Sequence, residues 1–159
     1  GSDARTLRDA LGCFATGVTI VTASTPEGEP VGLTANSFTS VSLDPPLLLV
    51  CIAKSSSSLS TLERSEHFAV KVLHIGQQPV SNVFARPGGD RFAETPWQEG
   101  QYGMPLISGA LANFECEQYS AHDGGDHVIL VGKVLRARYE PRRDPLLYYK
   151  GKYRRLHFA

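Results

Sequence analysis

The chain has 159 residues, of which 42% are apolar and 20% are charged, with 16 basic and 16 acidic side chains. This length suits one domain with a sizeable hydrophobic core, so residues 1–159 are treated as a single domain. The balanced charge gives no attraction to nucleic acid or to an anionic membrane, and the longest apolar run, Leu47 to Ala53, is far shorter than the ~20 residues of a membrane-spanning helix.

The cysteines and the N-terminus bear on the cellular compartment. Cys13, Cys51 and Cys116 form no CxxC pair, and the histidines show no metal-binding spacing. Isolated cysteines are typical of reduced thiols in the cytoplasm, so we expect a cytoplasmic protein without a structural metal. No basic patch followed by an apolar core marks a secretory signal, and Gly1 and Ser2 resemble a cloning remnant.

The first third of the chain predicts a helix followed by β-strands. Apolar residues at helical spacing in residues 5–14 indicate a short amphipathic helix that stops at Gly17. The β-branched residues 18–24 and the turn sequence PEGEP then predict a hairpin with VGLTANSFTSVS, which begins at Val31 and is expected to form one central strand. The apolar run LDPPLLLVCIA predicts the next strand, covered on both faces.

The middle of the chain mixes helices and irregular segments. Four consecutive serines precede a predicted helix, in which Ser60 and Glu63 match a capping box, although a start two or three residues earlier fits equally. Residues 67–73 predict a strand and residues 76–86 a short helix. The proline- and glycine-rich sequence after that helix predicts a long irregular connection.

The last third is again rich in strand signals. Alternating runs on the two sides of HDGGD predict a hairpin, and LLYYKGKYRRL predicts a final strand and tail. Six or seven short strands indicate a β-barrel or β-sandwich rather than a parallel βαβ sheet. The motifs GxGxxG and GxxxxGK[ST] are missing from the sequence, so a nucleotide would have to bind to the loops of a β-barrel.

Four stretches could carry chemistry, and each also has a simpler structural explanation. The serines could bind a phosphate at a helix start or only cap the helix. The polar strand GLTANSFTSVS could grip a flat polar heterocycle or be an edge strand exposed to water. His127 could hydrogen-bond a ligand or be an ordinary surface residue. The aromatic and basic residues near the C-terminus could hold a phosphate and a stacked base or form a solvated tail.

Taken together, these stretches resemble a known family. The motifs that carry the resemblance are, in chain order, FATGVTIVTA, GLTANSFTSVSLDPPLLLVCIAKSSSSL, FAVKVL, GDHVILVGKV and LLYYKGKYRRL. They are similar to the short-chain flavin reductases, the NAD(P)H:flavin oxidoreductases that serve as reductase components of two-component flavin-dependent monooxygenases. The resemblance covers nearly the whole chain. It implies a mainly β fold, namely an FMN-binding split β-barrel with a few short flanking helices, and a homodimer with the flavin near the subunit interface.

The resemblance also implies roles for individual residues. The isoalloxazine ring would be faced by Thr34, Ala35, Asn36 and Ser37. The ribityl chain and phosphate would be surrounded by Cys51, Ile52, Ala53, Lys54, Ser55, Ser56 and Ser57. The flavin pocket would be completed by Phe84, Ala85 and Arg91, with Arg91 as a further phosphate partner. The pyridine nucleotide would be contacted by Tyr148, Tyr149, Lys150 and Gly151. His127 would lie beside the flavin and nicotinamide rings as the catalytic residue.

We therefore expect an NAD(P)H-dependent flavin reductase that reduces FMN or FAD with NADH or NADPH and supplies reduced flavin to a partner monooxygenase. One alternative is another split-barrel flavoprotein, either a pyridoxamine-phosphate-oxidase-like enzyme or a reductase with a deazaflavin-type donor. The others are a non-catalytic flavin carrier and a small β-barrel adaptor without a ligand.

Overall fold

The computed structural model describes residues 3–158, so the predicted cloning remnant lies outside the described residues. In this range the α-helices are Ala4–Leu11 (α1), Leu59–Arg64 (α2) and Gln78–Ala85 (α3), and a 3-10 turn covers Ile75–Gln77. The strands are Thr16–Gly17 (β1), Thr19–Ser24 (β2), Pro30–Ala35 (β3), Phe38–Leu43 (β4), Pro46–Ala53 (β5), His67–Val72 (β6), Trp97–Glu99 (β7), Pro105–Ile107 (β8), Ala112–Gly124 (β9), His127–Tyr139 (β10), Leu146–Tyr149 (β11) and Lys152–Arg155 (β12).

The main structural unit is a seven-stranded antiparallel sheet in the order β3-β2-β6-β9-β10-β5-β4. Two smaller sheets, β1-β11-β12 and β7-β8, pack around it. The prediction of a mainly β fold with short flanking helices is confirmed. No helix within residues 3–158 combines the length and the apolar character needed to cross a membrane.

The two outer strands of the main sheet meet at one corner. Strands β3 and β4 lie at opposite edges, yet only Asn36 and Ser37 join them, so the sheet must curl on itself. The Ser37 hydroxyl donates to the carbonyl oxygen of Cys51 at 2.9 Å, which fastens the corner to β5. The prediction of one central strand over VGLTANSFTSVS is therefore wrong, because the sequence forms two strands at the sheet edges.

Apolar side chains fill the interior of the curled sheet. Val21, Val50, Phe68 and Leu130 are fully buried there, and the α2 residue Leu62 closes one end of this core. A second cluster lies on the outer side of β2, where α3 packs against the sheet. Ala35 is buried in the first cluster and the Thr34 hydroxyl donates to the Ser81 carbonyl of α3, so the C-terminal end of β3 is held on both faces.

Within one chain, strand β5 is fully covered on one face only, so a single chain does not meet the prediction of cover on both faces. Leu48, Val50 and Ile52 point into the core, whereas the alternate residues Leu47 and Leu49 are only partly buried. The register places their outer face beside the same face of β10. One chain thus leaves an apolar strip of sheet partly open to solvent.

Local signals explain the remaining differences from the predicted elements. Helix α1 ends at Leu11 with Gly12 as its C-cap, so the predicted stop at Gly17 is wrong, and Gly17 lies in β1. Helix α2 begins at Leu59 with Ser58 before it, so the capping box at Ser60 is wrong and the earlier start is confirmed. The connection after α3 contains the small hairpin β7-β8.

The C-terminal segment is a hairpin, not the single strand that the sequence predicted. Lys150 and Gly151 have φ angles of 51° and 74°. Positive φ at both central residues suits a two-residue turn between antiparallel strands. The hairpin places Tyr148 of β11 directly opposite Tyr153 of β12.

Candidate functional site

A cavity of about 230 Å³ lies between the C-terminal end of β3, helix α3 and the hairpin β11-β12, and we call it the β3 cavity. Its walls are Val18, Thr34, Ala35, Asn36, Ser81, Ala85, Tyr148 and Tyr153. Five of these residues, Thr34, Ala35, Asn36, Ala85 and Tyr148, belong to the predicted site. The fold thus brings together three segments that are far apart in the sequence.

A second cleft, of about 180 Å³, lies further back along β3, and we call it the serine cleft. Its walls are Pro30, Val31, Gly32, Ser57, Ser58, Gly88, Gly89, Asp90, Arg91 and Phe92. Of the predicted site residues, Ser57 and Arg91 meet here, although one follows β5 and the other follows α3.

Arg91 is held in the serine cleft by backbone oxygens. Its guanidinium donates to the carbonyl oxygen of Gly32 at 2.5 Å and to that of Arg86 at 2.8 Å. Burial lowers the pKa of Arg91 below its ordinary value, but a guanidinium stays charged at neutral pH. The cleft therefore contains a fixed positive charge beside the exposed Ser57, with Asp90 as its acidic wall residue.

The neighbouring residues of the serine loop have other partners. The Lys54 ammonium forms an ion pair with Asp123, so it is directed towards the β9-β10 turn. The Ser56 hydroxyl accepts a hydrogen bond from the Ser58 N–H at 3.2 Å, which shapes the loop before α2. Ser57 is therefore the loop residue with the clearest access to the cleft.

His127 begins β10 and pairs with Ala53, the last residue of β5. Its Nδ1 lies 2.7 Å from a carboxylate oxygen of Asp126, and this hydrogen bond lowers the pKa of Asp126 below its ordinary value. The side chain is 43% exposed and does not line either cavity. The Lys54 N–H donates to the Asp126 carbonyl at 2.9 Å, so His127 is tied to the start of the serine loop.

Several predicted site residues lie behind or beside the cavities. Phe84 is 1% exposed and packs edge-on against Phe92, with ring centroids 5.0 Å apart. Ile52 lies in the core. Tyr149 carries the Lys150 ammonium 5.2 Å above its ring, next to the hairpin turn. Ser37 and Cys51 hold the corner, and Ala53 ends β5. Ser55 is an exposed residue of the serine loop, and Gly151 lies in the turn of the last hairpin.

Sequence reasoning missed three residues that form walls of the β3 cavity, namely Val18, Ser81 and Tyr153. Ser81 is completely buried, and its hydroxyl lies 2.6 Å from the hydroxyl of Tyr153. The spacing of four residues between Ser81 and the predicted Ala85 places both on one face of α3 and could have indicated Ser81. The turn at Lys150 and Gly151 could have indicated Tyr153, because a two-residue loop pairs it with Tyr148.

A larger groove, of about 520 Å³, lies elsewhere on the molecule. It runs beside the C-terminal end of β2 and past α2, with the stacked rings of His67 and Tyr102 among its walls. None of the predicted site residues lines it. Volume alone therefore does not identify the functional site.

The chain belongs to the flavin reductase family, because residues 11–157 match the family described as the flavin reductase like domain. A probable flavin reductase of Rhizobium meliloti strain 1021 is 56% identical over 132 residues, which cover 83% of this chain and 42% of the relative. The FMN reductase (NADH) SmoA of Agrobacterium fabrum is 50% identical over 156 residues, with 98% of this chain and 88% of the relative covered.

Among solved structures, the NADH:FAD oxidoreductase SgcE6 of Streptomyces globisporus, in complex with NAD and FAD fragments, superposes with a TM-score of 0.93. It is 43% identical, and the match covers 98% of this chain and 93% of SgcE6. The chain spans about half the length of several curated relatives, namely 42%, 57% and 48% of three of them.

Proposed function

We propose that the chain is an NAD(P)H-dependent flavin reductase that reduces FMN or FAD and passes reduced flavin to a partner monooxygenase. The observation that carries the proposal is the meeting of Thr34, Asn36 and Tyr148 in one cavity, in a chain of this family. Relatives named for NADH-dependent reduction of FMN and of FAD support both flavins as substrates. A relative that is the reductase component of a trigonelline monooxygenase supports the partner.

The two cavities suit one ligand that joins a flat ring to a phosphate. Gly32 lines the serine cleft and Thr34 lines the β3 cavity, and these residues are two positions apart on β3. Two residues of strand span about 7 Å, which a five-carbon ribityl chain can bridge. Ser57 and Arg91 supply a hydroxyl and a cationic donor, the groups that a phosphate prefers.

Few charged groups are needed for such a reaction. When bound, the nicotinamide and flavin supply the hydride donor and acceptor, and the protein provides position and electrostatics. Thr34 and Asn36 are polar residues in the wall of the β3 cavity, and Tyr148 is an aromatic one. We assign His127 to the edge of the paired flavin and nicotinamide rings. The hydrogen bond with Asp126 orients its imidazole.

We further propose that the curled sheet is a split β-barrel and that two chains form a homodimer. The partly exposed face of β5, with Leu47 and Leu49, supports this arrangement because a second chain could bury it. Sedimentation of the chain and of a Leu49→Lys variant tests it: we expect a dimer that the charge disrupts. The free cysteines support the expected cytoplasmic location.

Spectrophotometry of NADH and NADPH oxidation, with FMN and FAD each supplied in turn, tests the main proposal. We expect nucleotide oxidation that depends on added flavin. Flavin binding without nucleotide oxidation would indicate a carrier, and the absence of both would exclude a flavin protein.

A further inference from the structure

The hydroxyl groups of Tyr153 and Ser81 form a contact between the last strand and helix α3. The two oxygen atoms are 2.6 Å apart, and Ser81 is completely buried. A buried hydroxyl that loses its hydrogen-bond partner retains its desolvation penalty, so breaking this contact is energetically unfavourable. It connects two elements that are separated by 72 positions in the sequence.

The contact continues into both walls of the β3 cavity. The Thr34 hydroxyl donates to the Ser81 carbonyl oxygen at 2.8 Å, which ties β3 to the same turn of α3. On the other side, the rings of Tyr148 and Tyr153 pack edge-to-face with centroids 5.4 Å apart and planes tilted by 68°. A chain of contacts thus runs from Thr34 through Ser81 and Tyr153 to Tyr148.

We propose that Tyr153 is a positioning residue for the reductase reaction. Through its hydrogen bond with Ser81 it sets the separation between α3 and the hairpin β11-β12, and through its ring it fixes the orientation of Tyr148. The width of the β3 cavity, and hence the fit of a flat ring against Tyr148, depends on this pair. The inference rests on the proposed function, since it takes the β3 cavity as the ring site.

The base of the hairpin is held by the core, because Leu146 is buried in the second cluster and its N–H donates to the Leu73 carbonyl at 3.0 Å. The hairpin pairs with the two-residue strand β1, and the Lys150 N–H donates to the Gly12 carbonyl at 2.9 Å. These backbone contacts hold the strand of Tyr148 and the turn, but none of them joins the hairpin to α3, as the Tyr153–Ser81 contact does. A binding wall that is ordered before the ligand arrives loses less conformational entropy on binding, so a hairpin that can move should bind ligands less well.

The first test is the Tyr153→Phe variant, which removes the hydroxyl and keeps the ring. We expect the dissociation constant for FMN and the KM for NADH to rise about 3–10-fold, the loss expected for one buried hydrogen bond. The kcat should stay within about twofold, because no group that touches the reacting atoms is lost. Tyr119→Phe is the matched control, since Tyr119 is 54% exposed on β9 and should behave like the unaltered chain.

A double-mutant cycle with Ser81→Ala separates this role from general destabilisation. If the two hydroxyls act as one pair, adding Ser81→Ala to Tyr153→Phe should weaken FMN binding by less than about twofold more. Quenching of bound FMN fluorescence reports on the Tyr148 ring and should decrease in both single variants. Thermal unfolding at saturating FMN identifies any loss of fold.

Three results would overturn the inference: Tyr153→Phe binding FMN like Tyr119→Phe, fully additive effects of the two substitutions, or a lower melting temperature with unchanged FMN affinity. Nucleotide oxidation by the unaltered chain is measured in parallel. If the unaltered chain binds FMN without oxidising NADH or NADPH, the proposed function fails, while the binding cycle still decides the role of Tyr153.

Discussion

The fully buried Lys71 should make the stability of this protein depend on pH in an unusual direction. Its side chain lies beneath the hairpin β7-β8, where the amine donates to the Thr22 hydroxyl and to the Ala69 carbonyl oxygen at 3.3 Å. The Thr22 hydroxyl donates its own hydrogen to the Pro105 carbonyl at 2.6 Å, so it must accept from Lys71. A neutral amine has two hydrogens for these two acceptors.

Burial holds the pKa of Lys71 well below its ordinary value of 10.5, despite the opposing effect of the nearby Cys116 and Glu115. Between the lowered pKa and 10.5, the unfolded chain carries a proton that the folded chain lacks. The contribution of Lys71 to the free energy of unfolding therefore rises with pH in this window, by at most about 1.4 kcal/mol per pH unit. From pH 8 to 9.5 the gain is up to about 2 kcal/mol.

Replacing Lys71 with methionine should remove this slope and raise stability at pH 7 by about 1–4 kcal/mol, because no buried amine must be neutralised. Urea unfolding at several pH values, followed by circular dichroism, measures both effects. Lys133→Met is the control, since Lys133 lies half-buried on β10. All variants contain the same cysteines, so the titration of these thiols in the unfolded state cancels when the stability curves are compared. Parallel stability curves for the unaltered chain and Lys71→Met would refute the reasoning.

Three further predictions concern the site and the core. A Ser56→Ala, Ser57→Ala double variant should weaken FMN about 10-fold or more while changing riboflavin affinity little, because riboflavin lacks the phosphate; calorimetric titration showing equal losses would contradict it. His127→Ala should lower kcat about 10–100-fold while FMN remains bound, and unchanged turnover would exclude the role. Gly132→Ala should lower the free energy of unfolding by about 1–3 kcal/mol, because a Cβ there would lie 2.6 Å from the Phe68 ring and 2.9 Å from the Cys116 Cβ. Urea unfolding measures this change, and an unchanged free energy of unfolding would mean that the core can shift.

The strand pattern was predictable wherever burial follows local sequence. The β-branched residues of β2 and the alternating runs of β9 and β10 form strands as expected. The break at Asn36 and Ser37 was not predictable from a polar run, because polar residues suit both an edge strand and a sharp corner. Only the curl of the whole sheet, which depends on seven strands together, decides where the chain must turn.

The sequence motifs identified most of the site residues, but they did not predict how these residues are arranged in space. The sequence contains the serines and Arg91, yet their meeting depends on the loop after α3 reaching back to Gly32 on β3. The sequence gives little indication that Ser81 is a site residue, because a serine in a helix is usually exposed. Its burial follows from α3 packing onto β3, a tertiary contact that no local pattern encodes.

The corner between β3 and β4 explains why fold and function depend on the same contacts. The Ser37 hydroxyl that donates to the Cys51 carbonyl fastens this corner to β5, near the end of β5 from which the serine loop begins. If the corner opened, the β3 cavity would lose Asn36 as a wall at the same time as the loop lost its anchor. A ligand that bridges both cavities would therefore stabilise the closed sheet, because it binds only the folded arrangement.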